Sequence, residues 1–323
     1  MPTVYHRDQT GAPTFVYSTS SSNAAHFNAL KTVLKACLVT GYGAQAAAGW
    51  ELIAEGDLHL VLRNGSHSGY VCLTRLSGSP NVVEVWLSET FDGVSGDVMT
   101  GVGLKSGTTV SSSVPHRSCI GLMAYSSARS SWYVVADDRT FIIHASGNQT
   151  NYTGSNNTDR LCLYVGEDSE GNMIALGGQQ STTASPDSGF SATRGFTTLR
   201  NPETGLLVDS GAIETYTPGL DLSNVSASLL LIGKLKEISM SRVYWYVGPT
   251  GFPAGYLRGV ALPAQCSFYA IGTIAEALGV PAFSSRELNV PFDLGDNNHW
   301  FLGVGSFNTP VRFITDAPDF WGE

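Results

Sequence analysis

Cys266 precedes His299, with Asp296 and Asn297 beside the histidine, the order of nucleophile and base in some cysteine hydrolases. The surrounding "PAQCSFY" carries no nucleophile signature, and His299 in "DNNHWFLGVG" reads as the first residue of a strand after an Asn/Asp turn. No G-x-S-x-G segment occurs, so the serine elbow of the α/β-hydrolases is missing. Two acidic groups, Asp137-Asp138 and Glu167-Asp168-Ser169-Glu170, supply the residue type that glycoside cleavage requires, where two carboxyls must flank one bond. Both sit at predicted turns, so they read as solvated turn acids.

Metal and phosphate chemistry fare no better. The seven histidines (His6, His26, His59, His67, His116, His144 and His299) fall one to a segment, with no H-E-x-x-H pattern. The D-x-D-x-D-G spacing of a calcium loop is absent. Cys37, Cys72, Cys119, Cys162 and Cys266 are widely spaced in apolar runs, which suits small buried hydrophobes with reduced thiols. The glycines of "ACLVTGYGAQAAAGWEL" (36–52) resemble a ligand cradle, but they follow a predicted helix. A helix presents its partial negative charge at the C-terminus, so an anion would be repelled there. The Lys-Ser/Thr pair of a phosphate loop is missing too. No catalytic, cofactor-binding or metal-binding residue is assigned; Gly41, Tyr42, Gly43, Gly49 and Trp50 are assigned a structural role.

The elements that must position these residues are mostly strands. Phe27, Leu30, Leu34, Cys37 and Leu38 recur at helical spacing, predicting one prominent N-terminal helix. Ser22 or Asn23 is its expected N-cap and Gly41 its left-handed C-cap, with Gly43 relaxing the bend and Trp50 anchoring the next segment in the core. "TFVYS" (14–18), "LHLVLR" (58–63), "YVCLTRL" (70–76), "NVVEVWLSE", "SWYVVADDRTFIIHAS" (131–146), "RLCLYVG", "NMIALGG", "GFTTLRN", "SLLLIG", "SRVYWYVG", "GYLRGVALP", "HWFLGVG" and "VRFITDAP" read as strands. "YAIGTIAEALG" (269–279) reads as one or two helical turns. The polar segments 144–159 and 177–189 read as long exposed loops. The expected fold is mainly β (α+β), with several antiparallel sheets and that single N-terminal helix. Residues 1–125 form a helix-plus-sheet domain and 126–323 a β-rich domain, with a boundary near 125–131 or the two interleaved as one.

Composition narrows the function. Charged residues are 14% against roughly 25% in typical soluble domains, and aromatics are 10%, so a packed core is expected rather than disorder. The net charge of −9 with scattered lysines and arginines argues against nucleic-acid binding. No apolar stretch is long enough to span a membrane, and the opening residues carry no signal-type apolar run, so neither insertion nor a conventional signal is expected. The N-x-S/T sequons at Asn64, Asn148, Asn151, Asn156 and Asn224 then read as turn chemistry.

"LKACLVTGYGAQAAAGWEL" followed by "LHLVLRNGSHSGYVCLTRLSG" is similar to the start of a family of virion proteins of tailed bacteriophages. There a short helix leads to an L-V-x-G-Y-G segment, an A-A-G-W segment and an Arg-bearing hairpin. Here these are Leu38 to Gly43, Ala47 to Trp50, and Leu62-Arg63. "SWYVVADDRTFIIHAS" resembles the family's W-x-x-V-A-D-x-R-T-F strand pair, and "GYLRGVALPAQ" its late L-R-G-x-x-P segment. The likeness runs from about residue 24 to 265 and is loose over "SETFDGVSGDVMTGVGLKSG". It implies a structural tail protein of the virion, made in the host cytoplasm. Symmetric copies would form a ring at the baseplate or tail tip and contact other tail or baseplate proteins, with no cofactor. A host-receptor or glycan-binding tail protein is the alternative, and an envelope-degrading hydrolase the third reading. Trp245 and Trp300 are equally candidate interface anchors and candidate core residues.

Overall fold

The computed structural model describes residues 1–15, 23–75, 82–95, 98–104, 118–121, 131–146, 160–179, 196–207, 215–216, 240–247, 253–263, 291, 296–303 and 312–322. β1 (Thr3–His6) precedes helix α1 (Asn23–Lys35), which widens into a π-helical turn over Ala36–Thr40. β2 (Glu51–Glu55), β3 (His59–Arg63), β4 (Tyr70–Arg75) and β5 (Val82–Ser88) follow, then a small hairpin, β6 (Gly93–Ser95) and β7 (Val98–Thr100), and β8 (Ser118–Gly121). Next come β9 (Ser131–Ala136), β10 (Thr140–Ser146), β11 (Arg160–Glu167), β12 (Met173–Leu176), β13 (Gly178–Gln179) and β14 (Phe196–Thr198). β15 (Thr215–Tyr216), β16 (Met240–Val247), β17 (Pro253–Pro263), β18 (Trp300–Gly303), β19 (Arg312–Thr315) and a 3₁₀ turn at Pro318–Phe320 complete the described elements.

Antiparallel pairing arranges the strands as a central sheet β1-β9-β10-β11-β12-β14, a second sheet β13-β8-β5-β4-β3-β2 and a third sheet β15-β16-β17-β19-β18. The fold is mainly β, with α1 the single α-helix among the described residues. Alternate residues of the central strands point to opposite faces. Tyr133, Val135, Ile142, Tyr164 and Ile174 meet Trp245, Leu257, Phe301 and Phe313 of the third sheet. Trp132, Val134, Phe141, Ile143 and Leu163 meet Leu60, Leu62, Val71 and Val85 of the second, together with Phe27, Leu30, Leu34, Cys37 and Leu38 of the helical segment. Burial on both faces is why "SWYVVA" and "FIIHA" lack the apolar–polar alternation of a half-exposed strand.

The predicted helical face is fully buried. Lys31 and Lys35 on α1 hold Glu55 of β2 at 3.5 and 2.7 Å, tying the helix to the edge of the second sheet. Trp245 and Trp300, left open between anchor and core, are core residues at 0% and 3% exposure. Strand pairing joins the two halves of the chain: β1 is an edge of the central sheet, and β13 extends the second sheet by pairing with β8. The boundary near 125–131 falls largely outside the described residues, as do the helical turns at 269–279, the strand "SLLLIG", Cys266 and most of the two long loops. Of the strand expected at 14–18, residues 16–18 lie outside the description, and Thr14 and Phe15 are not in a strand, although Phe15 is buried.

Candidate functional site

The helix ends differently from the expected left-handed cap. Gly41 has φ 73° and ψ 172°, outside the left-handed helical region and in territory essentially reserved for glycine. Two carbonyls of the final turn, those of Cys37 and Leu38, are satisfied by the chain folding back. Ala48 N–H donates to Cys37 O at 3.0 Å, and the amides of Gly49 and Trp50 donate to Leu38 O at 3.1 and 3.0 Å. Tyr42 and Gln45 exchange two backbone hydrogen bonds within the loop. The Tyr42 hydroxyl reaches Gln9 Oε1 at 2.5 Å, and Tyr5 donates to Ala46 O at 2.7 Å. A Cβ on Gly43 would lie 2.1 Å from Thr10 O, so close backbone contact requires glycine there. The N-cap assigned to Ser22 or Asn23 lies outside what is described, since Ser22 and the Asn23 side chain are not covered.

This loop delivers Trp50 to the β9–β10 turn. Trp50 packs edge-on to Phe141 at 5.1 Å, and its indole N–H donates to Asp137 O at 2.9 Å. At the same turn, Gly65 N–H donates to Asp138 O at 2.6 Å, and a Cβ on Gly65 would sit 2.9 Å from Asp138 Cβ. Here the reading of Asp137 as a solvated turn acid is corrected. Its side chain is buried and accepts Arg258 Nη2 at 2.6 Å on one oxygen and Nη1 at 3.1 Å on the other. The remaining Arg258 donors reach Thr140 Oγ1 at 3.1 Å and Trp321 O at 2.9 Å, and the guanidinium lies over the Trp321 ring at 5.2 Å. Asp137 Oδ1 also accepts the amides of Arg139 and Thr140, fixing the hairpin turn.

Arg258 is aimed inward by a break in the β16–β17 ladder. Tyr256 pairs with Tyr244 and Ala261 with Arg242, so Leu257, Arg258, Gly259 and Val260 together face only Val243. An extended bulge of this kind redirects side chains. Leu257 enters the core and Arg258 turns to Asp137, while Gly259 takes φ +70°, with no room for a Cβ against the Trp321 indole.

The neighbouring acids are sequestered in the same way. Glu167 is 4% exposed and binds Arg139 Nε and Nη2, both at 2.5 Å, through one oxygen. Its other oxygen accepts the Ser66 hydroxyl from the β3–β4 turn. Asp168 is fully buried: Oδ2 accepts Trp245 Nε1 at 2.7 Å and Asn172 Nδ2 at 2.9 Å, and Oδ1 accepts the amides of Glu170 and Asn172. Gly255 makes room, since a Cβ there would be 2.3 Å from that Oδ2. Ser169 and Tyr256 then exchange two hydrogen bonds, stitching the β11–β12 turn to β17. Turns of the second and central sheets and the bulge of the third thus meet in one polar junction.

Burial raises the Asp168 carboxyl above its ordinary 3.8, outweighing the four donated hydrogen bonds. The folded chain therefore holds this proton to higher pH than the unfolded chain. The stabilisation is complete below 3.8 and is lost as pH rises through the folded value. The expected result is an Asp168 carboxyl resonance in ¹³C NMR with a midpoint above 3.8, and a wild-type stability that falls relative to Asp168→Asn across that window. A midpoint at or below 3.8 would mean that the donors, and not burial, dominate.

As chemistry, the junction is closed. Asp137 and Glu167 are each committed to an arginine, leaving neither as a free general base facing a cleft. His299 pairs with Asp316, its Nδ1 2.7 Å from Oδ2, and not with Asp296, which accepts the Trp300 indole N–H instead. The thiols of Cys37 and Cys72 are free and buried, Cys162 is buried as well, and burial pushes Cys72 up to about 12. Among the described residues no three His, Cys, Asp or Glu side chains gather as metal ligands, and no helix is long and apolar enough to cross a membrane. Arg258, Arg139 and Trp321 had no assigned role in the sequence, and Glu167 and Asp168, read there as solvated turn acids, are instead buried. The signals available were the "VADDRTF" and "GYLRGVALP" segments, whose arginines and acids lie more than a hundred positions apart. No protein-family model matches this chain, and the search of curated proteins also finds no match.

Proposed function

We propose that this protein is a structural component of a tailed-bacteriophage virion, a baseplate or tail-tip part built from symmetric copies that connects neighbouring tail proteins. One observation carries the reading. The segments in which the sequence resembles such virion proteins converge on the polar junction: Gly49 and Trp50, then Asp137, Arg139, Thr140 and Phe141, then Leu257, Arg258 and Gly259. Residues separated by some two hundred positions are spent on fixing three sheets against one another, and the acids among them are neutralised within the fold. That arrangement suits a part that must hold its shape under load, and it gives a hydrolase little to work with.

The test is the location of the chain in the intact particle. Density for this fold, repeated in a ring at the baseplate or tail tip in an electron-microscopy map, is the expected result. Absence of the chain from purified particles would sink the proposal. Saturable binding of host polysaccharide by the isolated protein would favour a receptor-binding role instead. Polysaccharide or peptidoglycan cleavage abolished by Asp137→Ala, Asp138→Ala or Cys266→Ala would favour a hydrolase.

A further inference from the structure

β1 is an edge of the central sheet, and one side chain closes its free side. Arg7 N–H donates to Trp132 O at 3.3 Å, so the odd-numbered residues along β1 direct their backbone groups at β9. Val4 and His6 direct theirs the other way, at the open edge. Gln9, in the turn after the strand, folds back onto that edge. Its Nε2 donates to Val4 O and its Oε1 accepts His6 N–H, each at 3.0 Å. The carboxamide fills one acceptor and one donor that the peptide group of an added strand would take. The Tyr42 hydroxyl donates to the same Oε1 at 2.5 Å and fixes the orientation of the amide. Other sheet edges are protected differently. β2 is broken by a bulge between Leu52 and Ala54 and carries a glutamate at each end, while β13 and β15 are two residues long. β1 has no bulge, no proline and no Lys, Arg, Asp or Glu among its four residues.

The structure assigns Gln9 the role of a guard: its carboxamide keeps the β1 edge from accepting another strand, so that copies of this chain do not join sheet to sheet. An unpaired edge of regular strand is a template for strand addition, whereas an edge whose backbone groups are already bonded is not. Once the guard is gone, a second copy can supply the strand, because antiparallel pairing of β1 with itself is two-fold symmetric. Val4 of one copy then meets His6 of the other and the reverse, with each outward N–H facing a C=O. Removing the side chain opens this edge without dismantling the turn that carries it. The Gln9 backbone N–H still donates to His6 O at 3.1 Å, and Gln9 O still accepts Ala12 N–H at 3.0 Å. The inference goes beyond the proposed virion role and does not depend on it, since a chain that assembles through other contacts also needs this edge closed.

Sedimentation velocity across a concentration series of the full chain tests the guard, with a thermal melt of each variant to establish that it is folded. Gln9→Ala is expected to associate with a constant about tenfold or more above that of wild type, the change that roughly 1.4 kcal/mol makes. Gln9→Met keeps the length of the side chain without its donor and acceptor, and is expected to behave in the same way. Adding His6→Pro to Gln9→Ala removes an outward N–H without touching the β9 ladder, and is expected to return association to the wild-type level. At concentrations too low for association, the His6 amide of Gln9→Ala is expected to exchange with deuterium faster than in wild type. A folded Gln9 variant that associates no more than wild type would overturn the inference, as would a double variant that associates as strongly as Gln9→Ala. Loss of the fold in both Gln9 variants would overturn it too, since Gln9 would then be needed for folding and not for guarding an edge.

Discussion

Asp137→Asn is expected to lower the unfolding free energy by about 3–5 kcal/mol at neutral pH, the range for removing one partner of a buried ion pair. The substitution isolates the charge. An asparagine Oδ1 can still accept the Arg139 and Thr140 amides that shape the turn, and the side-chain volume barely changes. What is lost is the anion facing Arg258, which is nearly fully buried and then carries an uncompensated charge. For a domain whose total stability is typically 5–15 kcal/mol, a loss of this size shifts the denaturant midpoint plainly. Arg258→Lys should not be tolerated as conservative. One ammonium cannot span both Asp137 oxygens, Thr140 Oγ1 and Trp321 O, which the planar guanidinium reaches together. The pair Asp137→Asn/Arg258→Met should recover part of the loss, because no unpaired charge then remains inside. Chemical denaturation of the four proteins closes a double-mutant cycle. A loss below about 1 kcal/mol for Asp137→Asn would place the pair with weak surface ion pairs and remove the junction as the element that locks the sheets.

Gly41→Val carries the second large effect. Two independent costs act at this position. The backbone conformation, φ 73° and ψ 172°, is one that side-chain-bearing residues avoid at a cost of about 1–3 kcal/mol. A Cβ would also lie 2.5 Å from Gln45 O and 3.2 Å from Ala47 N, and Gln45 is held by its paired bonds to Tyr42. Backbone atoms cannot swing aside as a flexible side chain would, and a β-branched residue adds a second methyl to the clash. The expected loss exceeds about 3 kcal/mol and reaches beyond the loop, because the fold-back of Ala48–Trp50 closes the helix and seats Trp50. Gly171→Ala is the matched control: φ is +86° but no atom lies within 4 Å of the added Cβ, so only the conformational cost of about 1–2 kcal/mol is expected. Equal losses for the two variants would show that the helix–sheet turn yields as readily as an open surface turn. Unchanged stability in Gly41→Val would mean that the segment is not a fixed structural hinge at all.

The local elements were legible because each has a short-range cause. The helical face from Phe27 to Leu38 follows from a 3.6-residue period, and most described strands follow from β-branched and aromatic runs between turns. The glycine loop was also readable as a helix stop, though not its geometry. The left-handed cap was expected from a glycine after a helix, whereas the chain instead widens to a π turn and folds back so that the amides of Ala48, Gly49 and Trp50 reach Cys37 O and Leu38 O. The acids show the opposite limit. "VADDRTF" and "GEDSEGN" look like solvated turns in any local window, and Asp138 and Glu170 are indeed exposed, but contact with Arg258, Arg139 and Trp245 makes Asp137, Glu167 and Asp168 buried anchors.

Composition and periodicity by themselves determined a β-rich chain with one amphipathic helix and a core rich enough to fold. The tertiary structure alone decided which strands share a sheet, that the central sheet is covered on both faces, and that Asp137 and Arg258 belong together. The physical reason is range. Side-chain period and turn propensity are fixed by neighbours along the chain, whereas the partner of a buried charge is fixed by packing that brings residues 137 and 258 within 2.6 Å.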